Sequence, residues 1–328
     1  MPKRIYDVTI SADEPFLGKN QIMKKNVLIV YAHPEPASLT RQLVELSAQT
    51  LQEQGHEVVL SDLYAMNWKA VFDENDFPSR ANPNRLSFVA ESGHAYSNGL
   101  QTADVEAEQQ KLLAADAVIF QFPLWWFGMP AILKGWVDRV FAYGLAYGYK
   151  GEGNRYRYGD GGLKGKRGIL SVTVGGPVAD YLPRGINGPL DQLLFPITHG
   201  MLFFAGMDVL PTYAVYGTGS ITAAGVSAVK AAWRSHLERL FEEVPIPFRR
   251  QNGGDYPDSH VLANQVAVGQ TGLLAHIAEE RDTFEALNWS ENHREAGPAI
   301  DRHQPLPVGN GESPTSYRTE RGAGSTQD

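Results

Sequence analysis

The chain has 328 residues and a formal net charge of −8, from 29 Lys and Arg against 37 Asp and Glu. An acidic balance without a basic block argues against a nucleic-acid-binding protein. The sequence contains no cysteine, which excludes disulfides, thiolate metal sites and a cysteine nucleophile and agrees with a reducing compartment. Hydrophobic residues make up 43% of the chain, enough to bury a substantial core.

The sequence shows no export or membrane signal. Residues 1–24, an N-terminal extension, contain scattered charges and lack the apolar segment of a signal peptide. The most apolar stretch, residues 117–133, is interrupted by Gln121, Pro123, Gly128 and Pro130 and is too short to span a bilayer. We therefore expect a cytoplasmic protein without membrane insertion.

Residues 25–244 alternate between predicted strands and helices. The first strand, Val27 to Ala32, is a continuous apolar run, typical of a parallel strand buried on both faces. Ser38 is positioned to cap the helix that follows, and Gly55 to end it. The next elements are a strand at 57–60, a loop-rich region at 64–101, a helix at 104–115, a strand at 117–122, a helix at 131–141, a strand at 169–174, a helix at 190–205, a strand at 209–215 and a helix at 223–241. This alternation predicts a doubly wound, parallel five-stranded α/β sheet with helices on both faces.

The composition changes after residue 244. Residues 245–285 are interrupted by proline and glycine around a short apolar stretch at 273–277, so we expect an arm that packs on the domain or on a dimer partner. In this arm Arg249 and Arg250 are interpreted as a solvated turn, with contact to an adenosine phosphate or an acidic partner as the alternative. Residues 286–328 are too polar to bury enough surface for folding, and we expect a mobile tail.

The first of three candidate binding loops follows the first strand. His33, Ser38 and Thr40 lie in the turn that leads into the next helix, where backbone N–H groups and the helix dipole favour an anion such as a phosphate. The turn lacks the glycines of a dinucleotide fingerprint and of a P-loop. Simple helix capping explains the same residues, so both interpretations stay open.

The second loop contains three consecutive aromatic residues, Trp125, Trp126 and Phe127. It follows a buried strand at the edge where open α/β sheets bind ligands. A rigid loop of this kind can offer backbone N–H groups to a flat heteroaromatic ring, with packing against the next helix as the alternative. Because adjacent residues of a strand point to opposite faces, Trp125 and Trp126 cannot both point into the core.

The third loop, Thr173-Val174-Gly175-Gly176, follows the fourth strand. Its N–H groups can reach the carbonyls and nitrogens of a flavin ring, and an ordinary turn is the alternative. All three loops follow predicted parallel strands, so we expect them at the same edge of the sheet. Their convergence favours a ligand site over three unrelated turns.

Four sequence blocks resemble the NAD(P)H:quinone oxidoreductases, the DT-diaphorase-like flavoproteins. The blocks are Val30-Tyr31-Ala32-His33-Pro34, the segment from Ser61 to Met66, the segment from Phe120 to Trp136, and Thr173-x-Gly175-Gly176. The resemblance implies a flavodoxin-like fold, a homodimer with active sites at its interface, bound FAD with FMN as the alternative, and NAD(P)H as cosubstrate. It also implies ping-pong, two-electron reduction of a quinone, with hydride transferred through flavin N5.

The resemblance also implies roles for individual residues. Those assigned to the flavin are His33, Ser38, Leu39, Thr40, Pro123, Leu124, Trp125, Trp126, Phe127, Thr173, Val174, Gly175, Gly176 and Tyr181. Those assigned to the substrate pocket are Trp126, Phe127, Tyr147 and Tyr149. The partner subunit would supply the two tyrosines, which without the resemblance would be interpreted as surface aromatics. The spacing of the histidines predicts no catalytic metal.

One catalytic position departs from the family. Tyr181 matches a tyrosine that the family pairs with a histidine near the flavin, but Asn187 stands in place of that histidine. Asparagine donates hydrogen bonds but carries no proton near neutral pH, so the Tyr–His relay cannot operate. We therefore assign catalysis to Tyr181 and Asn187, with Tyr181 acting alone or Asn187 holding a water. His199 is expected to be a core or interface histidine rather than a replacement acid.

Three other functions are compatible with parts of the sequence. An FMN-dependent reductase of azo or nitro compounds shares the fold and the three loops. A regulatory flavoprotein subunit of a potassium-efflux transporter would bind a membrane partner. A one-electron carrier like flavodoxin is disfavoured because the hydroxyl- and glycine-rich phosphate loop of that family is absent here.

Overall fold

The computed structural model describes residues 23–150, 154–258 and 260–278. The expected tail at 286–328, nearly all of the N-terminal extension at 1–24 and the last residues of the arm lie outside the described residues. In chain order the helices and strands are β1 (Asn26–Tyr31), α1 (Leu39–Glu53), β2 (Glu57–Asp62), α2 (Phe88–Asn98), α3 (Ala103–Ala114), β3 (Ala117–Pro123), α4 (Ala131–Val140), β4 (Gly148–Lys150), β5 (Asn154–Tyr156), β6 (Arg167–Thr173), α5 (Leu190–Ile197), β7 (Asp208–Val209), β8 (Tyr213–Val215) and α6 (Ala223–Glu238).

The main sheet is parallel and has the order β2-β1-β3-β6, with β7 and β8 both on the outer edge of β6. This order is that of the flavodoxin-like doubly wound fold. The fifth position, expected to be one strand at 209–215, contains two short strands. Pro211 lies between them, and proline has no N–H to donate to a ladder.

Helices cover both faces of the sheet, as expected. One core cluster packs α1 and α6 against the sheet, and the other packs α3, α4 and α5 against the opposite face. Every residue of β3 is buried, which explains why its sequence is apolar apart from Gln121, whose side-chain amide donates to Ser171 O at 3.0 Å. Gly135 lets α4 pack directly on the segment that follows β2, because a Cβ at Gly135 would be 2.0 Å from the carbonyl oxygen of Ala70.

The structure contains two elements that the sequence did not predict. The loop-rich region 64–101 contains α2, which buries only Glu91, Gly93 and Ala95 and therefore has no apolar stripe to reveal it. The Glu91 carboxylate accepts the N–H groups of Ala81 and Asn82 and ties the helix to the preceding loop. The second unexpected element is the antiparallel pair of β4 and β5.

A buried ion-pair network joins α4 to the segment that follows β2. The Arg139 guanidinium donates from Nε to Asp76 Oδ1 at 2.7 Å and from Nη2 to Asp104 Oδ2 at 2.6 Å. Asp76 also accepts from Lys69 Nζ at 3.0 Å. Arg139 lies 4.4 Å from the ring centroid of Trp68. These contacts fix the start of the loop-rich region against α4.

The described part of the arm packs on α5 and the fifth strand position. Near the start of the arm, Ile246 N donates a hydrogen bond to Val209 O at 2.8 Å. Phe248 then forms an antiparallel β-bridge with Ile277. The interpretation of Arg249 as part of a solvated turn is wrong. Its side chain is largely buried, pairs with Asp255 at 2.9 Å and donates to the carbonyl oxygen of Ala275. Tertiary contacts with residues 275–277 bury it.

Candidate functional site

The loop after β1 presents polar groups at the N-terminus of α1. The Ser38 hydroxyl accepts the Arg41 N–H at 3.1 Å, so Ser38 caps the helix as expected. His33 Nδ1 accepts the N–H of Glu35 at 3.0 Å, which places the proton of the neutral ring on Nε2. Burial lowers the pKa of His33 and favours this neutral form. His33 Nε2 and the N-terminal N–H groups of α1 are therefore donors suited to an anion.

A direct hydrogen bond joins the first and third loops. The hydroxyls of Thr40, at the start of α1, and Thr173, at the end of β6, are 2.8 Å apart and buried. Leu124 N donates to Thr173 O at 2.8 Å, which adds the second loop. The three loops predicted to converge thus meet at the carboxyl edge of the sheet.

The aromatic loop is a tight turn with an unusual backbone. Trp125 and Gly128 exchange two backbone hydrogen bonds of 3.1 Å, and both residues between them have positive φ, 51° at Trp126 and 60° at Phe127. Left-handed backbone at bulky residues is strained and concentrates at functional sites. The Trp126 side chain is 96% exposed and that of Phe127 48%, so these rings are not core residues.

We expect Phe127→Gly to stabilise the fold while weakening the site. Glycine adopts positive φ without the steric cost, which is about 1 kcal/mol per residue. Chemical denaturation should therefore show a gain of up to about that size, whereas binding of the expected flavin should weaken with loss of the ring. Asn67→Gly is a matched control, because Asn67 also has positive φ, at 51°, but lies outside the three loops. A loss of stability in Phe127→Gly would contradict the strain argument.

The glycine turn after β6 leaves an open surface with free donors. Val174 N donates to Val215 O at 2.7 Å, but among the described residues the N–H groups of Gly175 and Gly176 have no acceptor. A Cβ at Gly175 would meet nothing within 4 Å. The turn can therefore approach a flat polar ring closely and donate to its edge, as expected for a flavin.

Tyr181 lies between this glycine turn and Asn187. The Asn187 side chain lies close enough to the Tyr181 hydroxyl to lower its pKa, although burial outweighs that effect, and the Tyr181 ring would be 3.3 Å from a Cβ at Gly176. Burial raises the pKa of Tyr181, so the hydroxyl keeps its proton at neutral pH. Gly185 shapes the loop between them, because a Cβ there would lie 2.3 Å from Asp180 O. The two residues expected to be catalytic are thus in contact.

The sequence reasoning missed a fourth loop, after β8. The Tyr216 ring lies 5.5 Å from that of Tyr181, and burial raises the pKa of Tyr216. Gly217 N donates to Gly176 O at 2.9 Å, and Thr218 N donates to Val174 O at 3.1 Å. These two hydrogen bonds attach the fourth loop to the glycine turn. Gly217, which comes shortly after the last predicted strand, could have indicated this loop in the sequence.

Tyr147 and Tyr149 lie apart from the three loops. Tyr147 packs on Tyr143 and Phe204, with ring centroids 5.6 Å and 5.4 Å away, and Tyr149 on β4 is 60% exposed. Among the described residues, no hydrogen bond or ring contact connects either tyrosine to the flavin-site loops. Within one chain, therefore, the substrate-pocket tyrosines and the flavin loops are not brought together.

His199 lies in an aromatic cluster in the helical turn that follows α5. Its ring stacks on Phe195 at 4.6 Å and contacts Phe248 at 5.1 Å. Burial, reinforced by His276, lowers the pKa of His199 to about 4. The ring is therefore neutral at neutral pH and unsuited to replace the missing catalytic histidine.

We expect His199 to make the fold sensitive to acid. The unfolded chain protonates this histidine near pH 6.5 and the folded chain only near pH 4, so stability present above pH 6.5 is lost as the pH falls to 4. The difference corresponds to about 3 kcal/mol. Denaturation of His199→Phe between pH 7 and 4 should show a correspondingly smaller loss. An unchanged pH dependence would contradict the assignment.

The described residues contain no group of histidines and carboxylates able to hold a metal ion. In the same part of the chain, no helix combines the length and apolar character needed to cross a bilayer. The candidate site is therefore made of aromatic rings, backbone donors, hydroxyls and one amide.

A parallel sheet of this order, with aromatic and glycine turns gathered at its carboxyl edge, defines a flavodoxin-like α/β protein. A family model described as the flavodoxin-like fold matches residues 25–237. The chain belongs to this family, in the group that contains the NAD(P)H:quinone dehydrogenases, and the resemblance seen in the sequence is confirmed.

Three relatives illustrate this membership. A ribosyldihydronicotinamide dehydrogenase-like protein of Penicillium crustosum is 46% identical over 262 residues, covering 78% of this chain and 97% of the relative. NAD(P)H dehydrogenase (quinone) 1 of Rattus norvegicus is 40% identical over 225 residues, covering 68% of this chain and 80% of the relative. The solved structure of a candidate quinone reductase from Klebsiella pneumoniae is 49% identical, with a TM-score of 0.75, covering 78% of this chain and 100% of that structure.

Proposed function

We propose that this protein is a flavin-dependent NAD(P)H:quinone oxidoreductase that binds FAD and acts as a cytoplasmic homodimer. The observation that carries the proposal is the meeting of three loops at one sheet edge, joined by the Thr40–Thr173 hydrogen bond. The names of relatives that are about 40% or more identical support the same reaction.

The residues present fit a flavin. The proposed contacts to its phosphate and ribityl part come from His33, Ser38, Leu39 and Thr40. Those to its ring come from Pro123, Leu124, Trp125, Trp126, Phe127, Thr173, Val174, Gly175 and Gly176. The free N–H groups of the glycine turn suit the polar edge of the ring. When bound, the flavin supplies the two-electron hydride chemistry that protein side chains lack.

The protein's own residues bind, orient and stabilise charge. The exposed rings of Trp126 and Phe127 offer a flat apolar surface on which nicotinamide and quinone can stack in turn. Tyr181 presents a protonated hydroxyl beside the glycine turn, and these donors together stabilise negative charge at the ring edge. Asn187 lies next to the Tyr181 hydroxyl and carries no titratable proton near neutral pH.

The proposed homodimer would complete the substrate pocket. Tyr147 and Tyr149 lie apart from the flavin loops of their own chain, and the partner subunit would bring them over Trp126 and Phe127. We expect the purified protein to elute as a dimer, and Tyr149→Ala to raise the KM for quinone without loss of bound flavin. A monomer with full activity would contradict this assembly.

A visible absorption spectrum of the purified protein tests the proposed function. We expect flavin bands that bleach on anaerobic addition of NADPH and return when a quinone is added. Chromatography of the released cofactor then distinguishes FAD from FMN. A colourless protein that stays colourless after incubation with FAD and with FMN would leave the fold intact and contradict the function.

A further inference from the structure

A carboxylate lies beside the glycine turn and has no part in the roles assigned so far. Asp180 belongs to the short helical turn Val178–Tyr181, which follows the glycine turn along the chain. A Cβ at Gly176 would be 3.5 Å from Asp180 Oδ2 and 3.6 Å from the hydroxyl oxygen of Tyr181. The carboxylate and the hydroxyl therefore lie on the same side of Gly176.

Backbone hydrogen bonds hold Asp180 in this place. Its N–H donates to Pro177 O at 3.1 Å, and its carbonyl oxygen accepts the N–H of Asn187 at 2.9 Å. An aspartate side chain is short, so fixing its backbone also fixes the small region that its carboxylate reaches. That region borders the glycine turn.

The charge of Asp180 is not compensated by a neighbouring side chain. In the part of the chain that the structure describes, no cation lies within ion-pair distance of its carboxylate, and no N–H or O–H donates to it. Carboxylates near the other two loops are engaged: Glu35 Oε1 accepts Ala37 N at 2.8 Å, and Asp62 pairs with Arg41 at 3.0 Å. Asp180 thus adds a net negative charge to the glycine turn.

Such a charge opposes the negative charge that reduction creates. A hydride brings two electrons and one proton, so a bound flavin becomes more negative by one charge when it accepts a hydride. Like charges repel, and the repulsion grows where a bound ring displaces water. The same effect acts on the neighbouring residue, because burial and, after it, the charge of Asp180 raise the pKa of Tyr181.

We propose that the Asp180 carboxylate lowers the reduction potential of the flavin bound at the glycine turn. This inference rests on the proposed function. A lower potential favours transfer of the hydride onward to the quinone. The Tyr181 hydroxyl, which donates a hydrogen bond from the same side of Gly176, favours the reduced state instead, so the two residues act in opposite directions on one equilibrium.

The reduction potential of the flavin-loaded protein, measured by equilibration with a reference dye during slow anaerobic reduction, tests this proposal. Asp180→Asn removes the charge and keeps the shape. We expect the equilibrium constant for flavin reduction to increase about threefold or more, a modest change because water screens a half-buried carboxylate. Asp180→Glu, which keeps the charge, should stay close to the wild type. Asp180→Ser is a second neutral variant if Asp180→Asn folds poorly.

Asp208→Asn is the matched control, because Asp208 begins β7 at the amino edge of the sheet, opposite the flavin loops. It changes the net charge equally, and its potential should equal that of the wild type. A smaller shift than expected in both neutral variants, or an equal shift in Asp208→Asn, would overturn the proposal while the proposed function stands. A wild-type protein that takes up neither FAD nor FMN would contradict the proposed function and this inference with it.

Discussion

Removal of the Tyr181 hydroxyl is expected to lower the turnover of quinone reduction by about 10²- to 10³-fold, the usual effect of deleting one donor that stabilises developing charge. Tyr181 lies beside both Asn187 and the glycine turn, and it keeps its proton because burial raises its pKa. Stopped-flow measurement of Tyr181→Phe should show slowed reduction by NADPH with flavin still bound.

Tyr213→Phe is the matched control for this substitution. The Tyr213 hydroxyl donates to Val229 O at 2.8 Å, and its ring stacks on Trp233 in the core on the opposite side of the sheet. We expect this variant to lose about 1 kcal/mol of stability and no turnover. Equal turnover in Tyr181→Phe and the wild type would show that the backbone donors of Gly175 and Gly176 suffice.

The sequence predicted the sheet well because the apolar pattern of a buried strand is visible in the residues of the strand itself. A parallel strand buried on both faces must be almost entirely apolar, and so are β1, after Asn26, and β3, apart from Gln121. The same reasoning missed α2, whose buried residues are a carboxylate and two small residues. Glu91 is buried because it accepts two N–H groups from a loop ten residues away, a tertiary contact with no periodic signature.

The candidate site likewise has features that the sequence predicted and features that it could not predict. The positions of the three loops followed from the strand pattern, because carboxyl ends of parallel strands share an edge. The left-handed backbone at Trp126 and Phe127 could not be predicted, since bulky residues rarely adopt it and only the hydrogen bonds between Trp125 and Gly128 impose it.

Removal of the Asp76 carboxylate is expected to cost about 3 to 5 kcal/mol, because it leaves the buried Arg139 guanidinium without its main counter-charge. Arg139 and Asp76 have side chains that are almost completely buried, and among the described residues only Asp104 would remain to form an ion pair with the guanidinium. Denaturant unfolding of Asp76→Ala should show this loss. Asp138→Ala on the same helix is the control, since its exposed pair with Lys134 is worth less than about 1 kcal/mol.

The double variant Asp76→Leu/Arg139→Met separates the cost of an unpaired charge from the value of the pair itself. A buried ion pair returns little net stability after desolvation, so the double variant should be more stable than Asp76→Ala, although it has lost both charges. A double variant no more stable than Asp76→Ala would show instead that the network contributes net stability, through Lys69 and the Trp68 ring as well as through the pair. The network joins the loop after β2 to α4, which begins four residues after Phe127 in the strained turn. An unpaired charge there would therefore be expected to loosen the aromatic turn before the sheet unfolds, and flavin release should precede global unfolding in Asp76→Ala but not in the double variant.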